Sequence, residues 1–128
     1  MTRLMIVDDS LFQRKYLGKM IEKMGWEVVG EASNGREAIE KYHLSRPDLV
    51  LMDLLMPEME GIVAVKKIIE IDKDAKIVVV SSLGYGEIID KALLLGAKQF
   101  ITKPINFENA SNTLKSVLSE SAHSEEEL

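Results

Sequence analysis

The sequence predicts an α/β fold: five parallel strands with helices on both faces, in a single domain of five strand–helix units. Three observations carry that expectation. Short apolar runs alternate five times with longer stretches of helical period. The runs at residues 48–52 and 76–80 are almost continuously apolar, as strands covered on both faces are. The connections are short, and strict strand–helix alternation with short connections favours parallel crossovers.

Arg3–Val7 is a compact apolar run and reads as the first strand. Either Asp9 or Ser10 can cap the helix that follows, in which Leu17, Met20, Ile21 and Met24 recur at helical spacing. Gly25 stops that helix, and Trp26 is expected to pack back on its last turn rather than serve as a ligand platform. Glu27–Ala32 is a weaker second strand. The second helix opens near Asn34-Gly35, carries Ala38, Ile39 and Tyr42, and ends before Pro47. Residues 48–52 form the third strand, and Ile62, Val65 and Ile69 mark the third helix. Residues 76–80 and then Ile88, Ala92 and Leu95 give the fourth pair. Residues 99–102 are the shortest strand, followed by a helix marked by Ala110, Leu114 and Val117. The domain is expected over residues 1–120. Residues 121–128 are polar and acidic and read as a disordered tail.

Composition narrows the function classes. The 128 residues are 46% hydrophobic and 29% charged, the profile of a globular protein. A chain of this length can bury about two-thirds of its unfolded surface. The absence of cysteine excludes disulfides and thiolate metal sites. His43 and His123 are far apart in the chain, so a histidine zinc site is not expected. No apolar run approaches the roughly 20 residues of a membrane span, and the first residues show no cleavage-site pattern. A cytoplasmic protein without membrane insertion is the expectation, and the match of Asn109-Ala110-Ser111 to a glycosylation sequon is then fortuitous. The net charge of −5 argues against direct nucleic-acid binding.

In doubly wound sheets, ligands lie at the carboxyl ends of the strands, near the point where strand order reverses. Asp8 and Asp9 follow the first strand, Asp53 ends the third, Ser81 ends the fourth and Lys103 follows the fifth. Each has an ordinary explanation alone: a helix cap, a turn residue before Met56-Pro57, a strand-end hydroxyl, a solvated charge. Together they do not, because three converging carboxylates repel and raise one another's pKa. A hard divalent cation with oxygen ligands relieves that repulsion, and Mg²⁺, which also recruits phosphate oxygens, is the natural candidate.

Four blocks carry a family resemblance. They are Ile6-Val7-Asp8-Asp9-Ser10, the run from Asp53-Leu54-Leu55-Met56-Pro57 to Gly61, Val80-Ser81-Ser82, and Thr102-Lys103-Pro104-Ile105. In this order they resemble the receiver domain of two-component response regulators over almost the whole chain. The resemblance implies a flavodoxin-like doubly wound sheet of order 2-1-3-4-5. It implies Asp53 as phosphoacceptor from a phosphohistidine of a sensor histidine kinase or phosphotransfer protein, with Mg²⁺ held by Asp8, Asp9, Asp53 and the backbone carbonyl of Leu55. Lys103 would pair with Asp53 or Asp8 at rest, and Ser81 and Lys103 would take the phosphoryl oxygens. Ser81 and Phe100 would act as the switch, with the 82–86 loop moving and Phe100 turning inward, and Lys103-Pro104 is commonly cis in the family. The responding surface would be the fourth helix, fifth strand and fifth helix, around residues 88–95 and 100–118, offered to a downstream target protein.

Leu55 and Leu83 stand where the acyl phosphate would be flanked, and apolar side chains there would not orient an attacking water, so self-dephosphorylation is expected to be slow. Phe100 lacks the hydroxyl of the tyrosine frequent at that place, and the apolar Ile62-Val63-Ala64 after Gly61 is unusual. A Mg²⁺-dependent phosphohydrolase would need a second acid where Leu55 stands, and a flavodoxin-type cofactor binder a Ser/Thr/Gly-rich loop where Asp8-Asp9 stands. The acidic tail favours a stand-alone, CheY-like form over a receiver fragment of a longer transcriptional regulator.

Overall fold

The structure, a computed structural model, describes residues 1–56, 61–82 and 85–127, with side chains described as far as Glu120. Five strands, β1 (Arg3–Val7), β2 (Glu27–Ala32), β3 (Leu49–Asp53), β4 (Ile77–Ser82) and β5 (Gln99–Lys103), alternate with α1 (Leu11–Lys23), α2 (Gly35–Ser45), α3 (Gly61–Ile71), α4 (Gly86–Leu95) and α5 (Phe107–Glu127). The strands form one sheet of order β2-β1-β3-β4-β5 with every pairing parallel. The expected flavodoxin-like fold is the fold present.

Strand periodicity divides the interior in two. Successive side chains point to opposite faces, so Met5, Val7, Val50, Met52, Ile77 and Val79 fill one core and Leu4, Ile6, Leu49, Leu51, Val78 and Val80 the other. Ala38 and Tyr42 of α2, Ala64, Val65 and Ile68 of α3, and Ile89 and Ala92 of α4 close the first. Leu17, Met20 and Ile21 of α1 with Ala110, Leu114 and Val117 of α5 close the second. Each of these strands buries both faces, which is why their sequences read as unbroken apolar runs.

The third strand runs one residue past its apolar run and the fourth two: Asp53 and Ser81 lie in strands, as expected, and Ser82 extends the fourth. The fifth likewise takes in Lys103. The ladder uses backbone groups, and a change from apolar to polar side chains does not end it. Asp53 lies opposite Val80 and Ser81 opposite Thr102, which fixes their register at the sheet edge. The helical backbone of α5 continues to Glu127, beyond residue 120 where the sequence suggested a tail. Neither Gly nor Pro interrupts it, and its last turns carry Glu120, Ala122 and Glu125 to Glu127, good helix formers.

The end of α1 shows how local sequence sets the chain path. Gly25, at φ 80°, donates its N–H to Glu22 O at 2.9 Å, and Trp26 donates to Ile21 O at 3.1 Å. This paired bonding satisfies carbonyls that the helix end leaves open. Trp26 packs on the second core beside Met24, as the sequence suggested. Among the described residues no helix is long and apolar enough to cross a membrane.

A Cβ at Gly25 would meet nothing within 4 Å, so its substitution isolates the backbone effect. Gly25→Ala should lower unfolding free energy by about 1–2 kcal/mol with an unchanged denaturant slope, measured by urea unfolding. An unchanged midpoint would show that the left-handed cap contributes nothing.

Candidate functional site

The carboxyl edge of the sheet is built from backbone outward. Asp8 follows β1, and its N–H donates to Ala32 O at 3.0 Å, carrying the β1–β2 ladder one residue further. Its Oδ1 accepts the Ser10 N–H at 2.9 Å, and its carbonyl accepts from the Arg14 guanidinium at 2.7 Å. Arg14 is tied in turn to Glu31 at 3.1 Å. Ser10 caps α1, its Oγ accepting the Gln13 N–H at 3.2 Å. That resolves the choice between Asp9 and Ser10 and leaves the exposed Asp9 carboxylate without a capping role.

Asp53 ends β3 with one carboxylate oxygen bound by the chain and the other facing a cation. Oδ1 accepts the Leu55 N–H at 3.3 Å, and Oδ2 lies 3.7 Å from Lys103 Nζ. The same Nζ is 3.5 Å from Asp8 Oδ2. The sequence allowed Lys103 one partner or the other; the structure gives it both. Ligand atoms of Asp8, Asp9 and Asp53 all lie within 4.8 Å of one another.

Electrostatics make this cluster unlike an ordinary ion pair. Asp53 is only 5% exposed and Asp8 2%. Burial first, and the charge of Asp8 second, push the Asp53 carboxyl up to about 6, against the opposing pull of Lys103 and the Leu55 N–H. One ammonium faces three acids, and the remainder is uncompensated in a poorly solvated place. Three converging carboxylates suit a divalent cation with oxygen ligands, and the depth of Asp53 and Asp8 would keep such an ion partly dehydrated.

Ser81 adds a second imbalance. Its Oγ is buried and has no hydrogen-bond partner among the described residues. A buried hydroxyl without a partner destabilises by about 1–3 kcal/mol, so an acceptor oxygen arriving beside it would be favoured. Phe100 is not in the site. It is 40% exposed and borders a shallow cavity between β5 and α5. The Leu55 side chain, two residues after Asp53, is also 40% exposed. Leu83, the other expected flanking residue, lies outside the described residues, as does Gly84 of the 82–86 loop. The Lys103-Pro104 bond is cis, as the resemblance implied.

Two contributors escaped the sequence reading. Arg14 acts on a backbone carbonyl, for which no sequence signal exists beyond its place in the first turns of α1. Gly61 was visible as a motif member, but its reason was not. A Cβ there would press on the carbonyl oxygen of Asp53 and come 2.7 Å from Leu54 Cα. The N-terminus of α3 therefore rests directly on the peptide of the site's central carboxylate, joined by Gly61 N–H to Leu54 O at 3.1 Å.

The raised pKa has a thermodynamic consequence. Asp53 binds a proton more tightly folded, at about 6, than at its ordinary value of 3.8. Its ionised form therefore destabilises the fold above about pH 6, and that burden fades as pH falls towards about 4. In a metal chelator, Asp53→Asn should be more stable than the parent by roughly 2–3 kcal/mol near neutral pH. The advantage should vanish near pH 4; denaturant unfolding at both pH values checks this, and an equal advantage at both would contradict it.

Comparison with known proteins agrees with the geometry. Residues 4–115 match the family model of the response regulator receiver domain. The chain is 49% identical over 115 residues to the chemotaxis protein CheY of Thermotoga maritima, covering 90% of this chain and 96% of that one. It is 43% identical over 116 residues to CheY of Bacillus subtilis, covering 91% and 97%. A chain of the CheX-CheY-BeF3-Mg²⁺ complex from Borrelia burgdorferi is similar with a TM-score of 0.86 at 36% identity, over 91% of this chain and 88% of that one. With the doubly wound sheet and the acidic edge already in place, these matches make the chain a member of the response regulator receiver family, a CheY-like switch of the kind activated by phosphorylation.

Proposed function

We propose that Asp53 is the phosphoacceptor, that Mg²⁺ is the ion suited to the acidic cluster, and that Ser81 and Lys103 bind the transferred group. The observation that carries this is the pairing of two buried, poorly satisfied groups: Asp53, pushed up to about 6, and Ser81, without a partner among the described residues. One would gain from a nearby cation, the other from a new acceptor oxygen. Asp8, Asp9, Asp53 and the Leu55 carbonyl would hold the metal. Bound there, it would neutralise the carboxylates and the charge developing on the phosphoryl oxygens.

The chain's own residues supply positioning. An Asp53 carboxylate oxygen attacks phosphorus as the bond from phosphorus to the donor's histidine nitrogen breaks, and the released imidazole regains its proton from solvent. No general base is needed, because the nucleophile reacts as the anion. The ion pair between Lys103 and both acids gives way to one with the new phosphoryl oxygen, and the Ser81 hydroxyl donates to another. Each such bond is worth about 1.5–3 kcal/mol. Their sum approaches the ~5.5 kcal/mol that moves an equilibrium from 1:99 to 99:1.

Drawing Ser81 towards the phosphoryl group would pull the 82–86 segment, and Phe100 would turn inward, altering the face of α4, β5 and α5. A sensor histidine kinase or phosphotransfer protein is the donor and a target protein binds the altered face, in the cytoplasm. The CheX-CheY complex of Borrelia burgdorferi, with BeF3 and Mg²⁺, supports both the metal and a protein partner.

Intact mass after incubation with Mg²⁺ and acetyl phosphate tests the central assignment. The expected outcome is a gain of one phosphoryl group that needs Mg²⁺ and is absent in Asp53→Asn. Failure to bind Mg²⁺ or to gain mass, with the kinase also unable to transfer, sinks the reading. The exposed, apolar Leu55 beside Asp53 cannot orient a hydrolytic water. Once the donor is removed, the added mass should therefore persist for minutes in the isolated protein, and loss within seconds would contradict this.

A further inference from the structure

The apolar run after Gly61, unexplained by the switch, forms one wall of a groove. Ile62, Val63, Lys66 and Lys67 of α3 face Lys91 and Leu95 of α4 across a cavity of about 350 Å³ whose lining is largely apolar. The α3 residues recur at spacings of three to four and so share one helix face. Val63 is 39% exposed. The three lysines are exposed and form no ion pair among the described residues. Their stems can cover the apolar floor while the ammonium groups remain at the rim. Among the described residues one acid, Glu70, lines the groove; Glu87 and Asp90 of α4 do not. A chain of net charge −5 thus presents here a locally cationic rim around an apolar slot.

We propose that this groove docks an acidic amphipathic helical segment of a partner protein, at a surface centred on α3 that meets the α4, β5 and α5 face only at Lys91 and Leu95. The floor calls for an apolar face and the lysines for carboxylates beside it, which is charge complementarity of the kind that steers association. A groove between two helices suits a third helix laid along it. From Ile62 to Glu70 the wall spans about 12 Å, enough for two to three turns. The chain's own α5 packs on the opposite face of the sheet and does not cover it.

The test is unbiased selection of displayed random peptides on the immobilised protein, each binder then mapped by amide chemical shifts. Binders with Glu or Asp beside apolar residues at helical spacing are expected, shifting amides of residues 62–70 and 91–95. Their affinity should fall at least about tenfold in Lys66→Ala/Lys67→Ala and weaken with added salt. Val63→Glu, a second variant at an exposed position, should give a similar loss, with far-UV circular dichroism confirming both folds. Recovery of no binder, of basic binders, or of binders that map elsewhere or keep full affinity in the variants overturns the proposal.

Discussion

Two buried carboxylates, Asp8 and Asp53, share one lysine, and this unequal partition of charge is the constraint on which the rest of the molecule depends. A matched buried pair would be neutral and inert. Here Lys103 lies 3.5 Å from one acid and 3.7 Å from the other, with Asp9 close by, so the acids remain under-compensated. Burial turns a modest surface repulsion into a strong one. The fold tolerates this because two well-filled cores stabilise it independently of the edge.

The edge is positioned by rigid elements rather than by long loops. Asp53 and Ser81 lie within strands, where backbone pairing fixes their direction, and Asp8 extends the ladder through Ala32. Gly61 lets α3 begin against the carbonyl of Asp53, joining the helix to the proposed phosphoacceptor. Arg14 fixes Asp8 from the other side. The groove between α3 and α4 is thus walled by the helix that follows Asp53 and the helix that follows Ser81–Ser82.

Much of this could be read in the sequence, for physical reasons that also mark where the reading stopped. Apolar runs identified β1, β3 and β4 because both their faces are buried, and helical spacing identified the buried faces of Met20 and Ile21 or Leu114 and Val117. Strand order came from the resemblance alone, since local periodicity says nothing about lateral neighbours. Strand ends were misplaced at Ser82 and Lys103 because a ladder does not register side-chain polarity. The cap at Ser10 was undecided because Asp and Ser are equally able to accept the bond. Arg14 was invisible because its partner is a backbone oxygen. The candidate site residues stood out, since nothing in core packing calls for five hydrophilic side chains at strand ends.

The span of Lys103 has a mechanical meaning. β5 is an edge strand, and its last side chain crosses the ends of β4 and β3 to reach Asp8 beyond β1. In the proposed reaction a change of charge at the centre would therefore act laterally first, along a tether lying over the strand ends. Robustness of the fold and sensitivity of the response are consequently separable properties: core substitutions adjust the first, and the second resides in a thin polar layer on top.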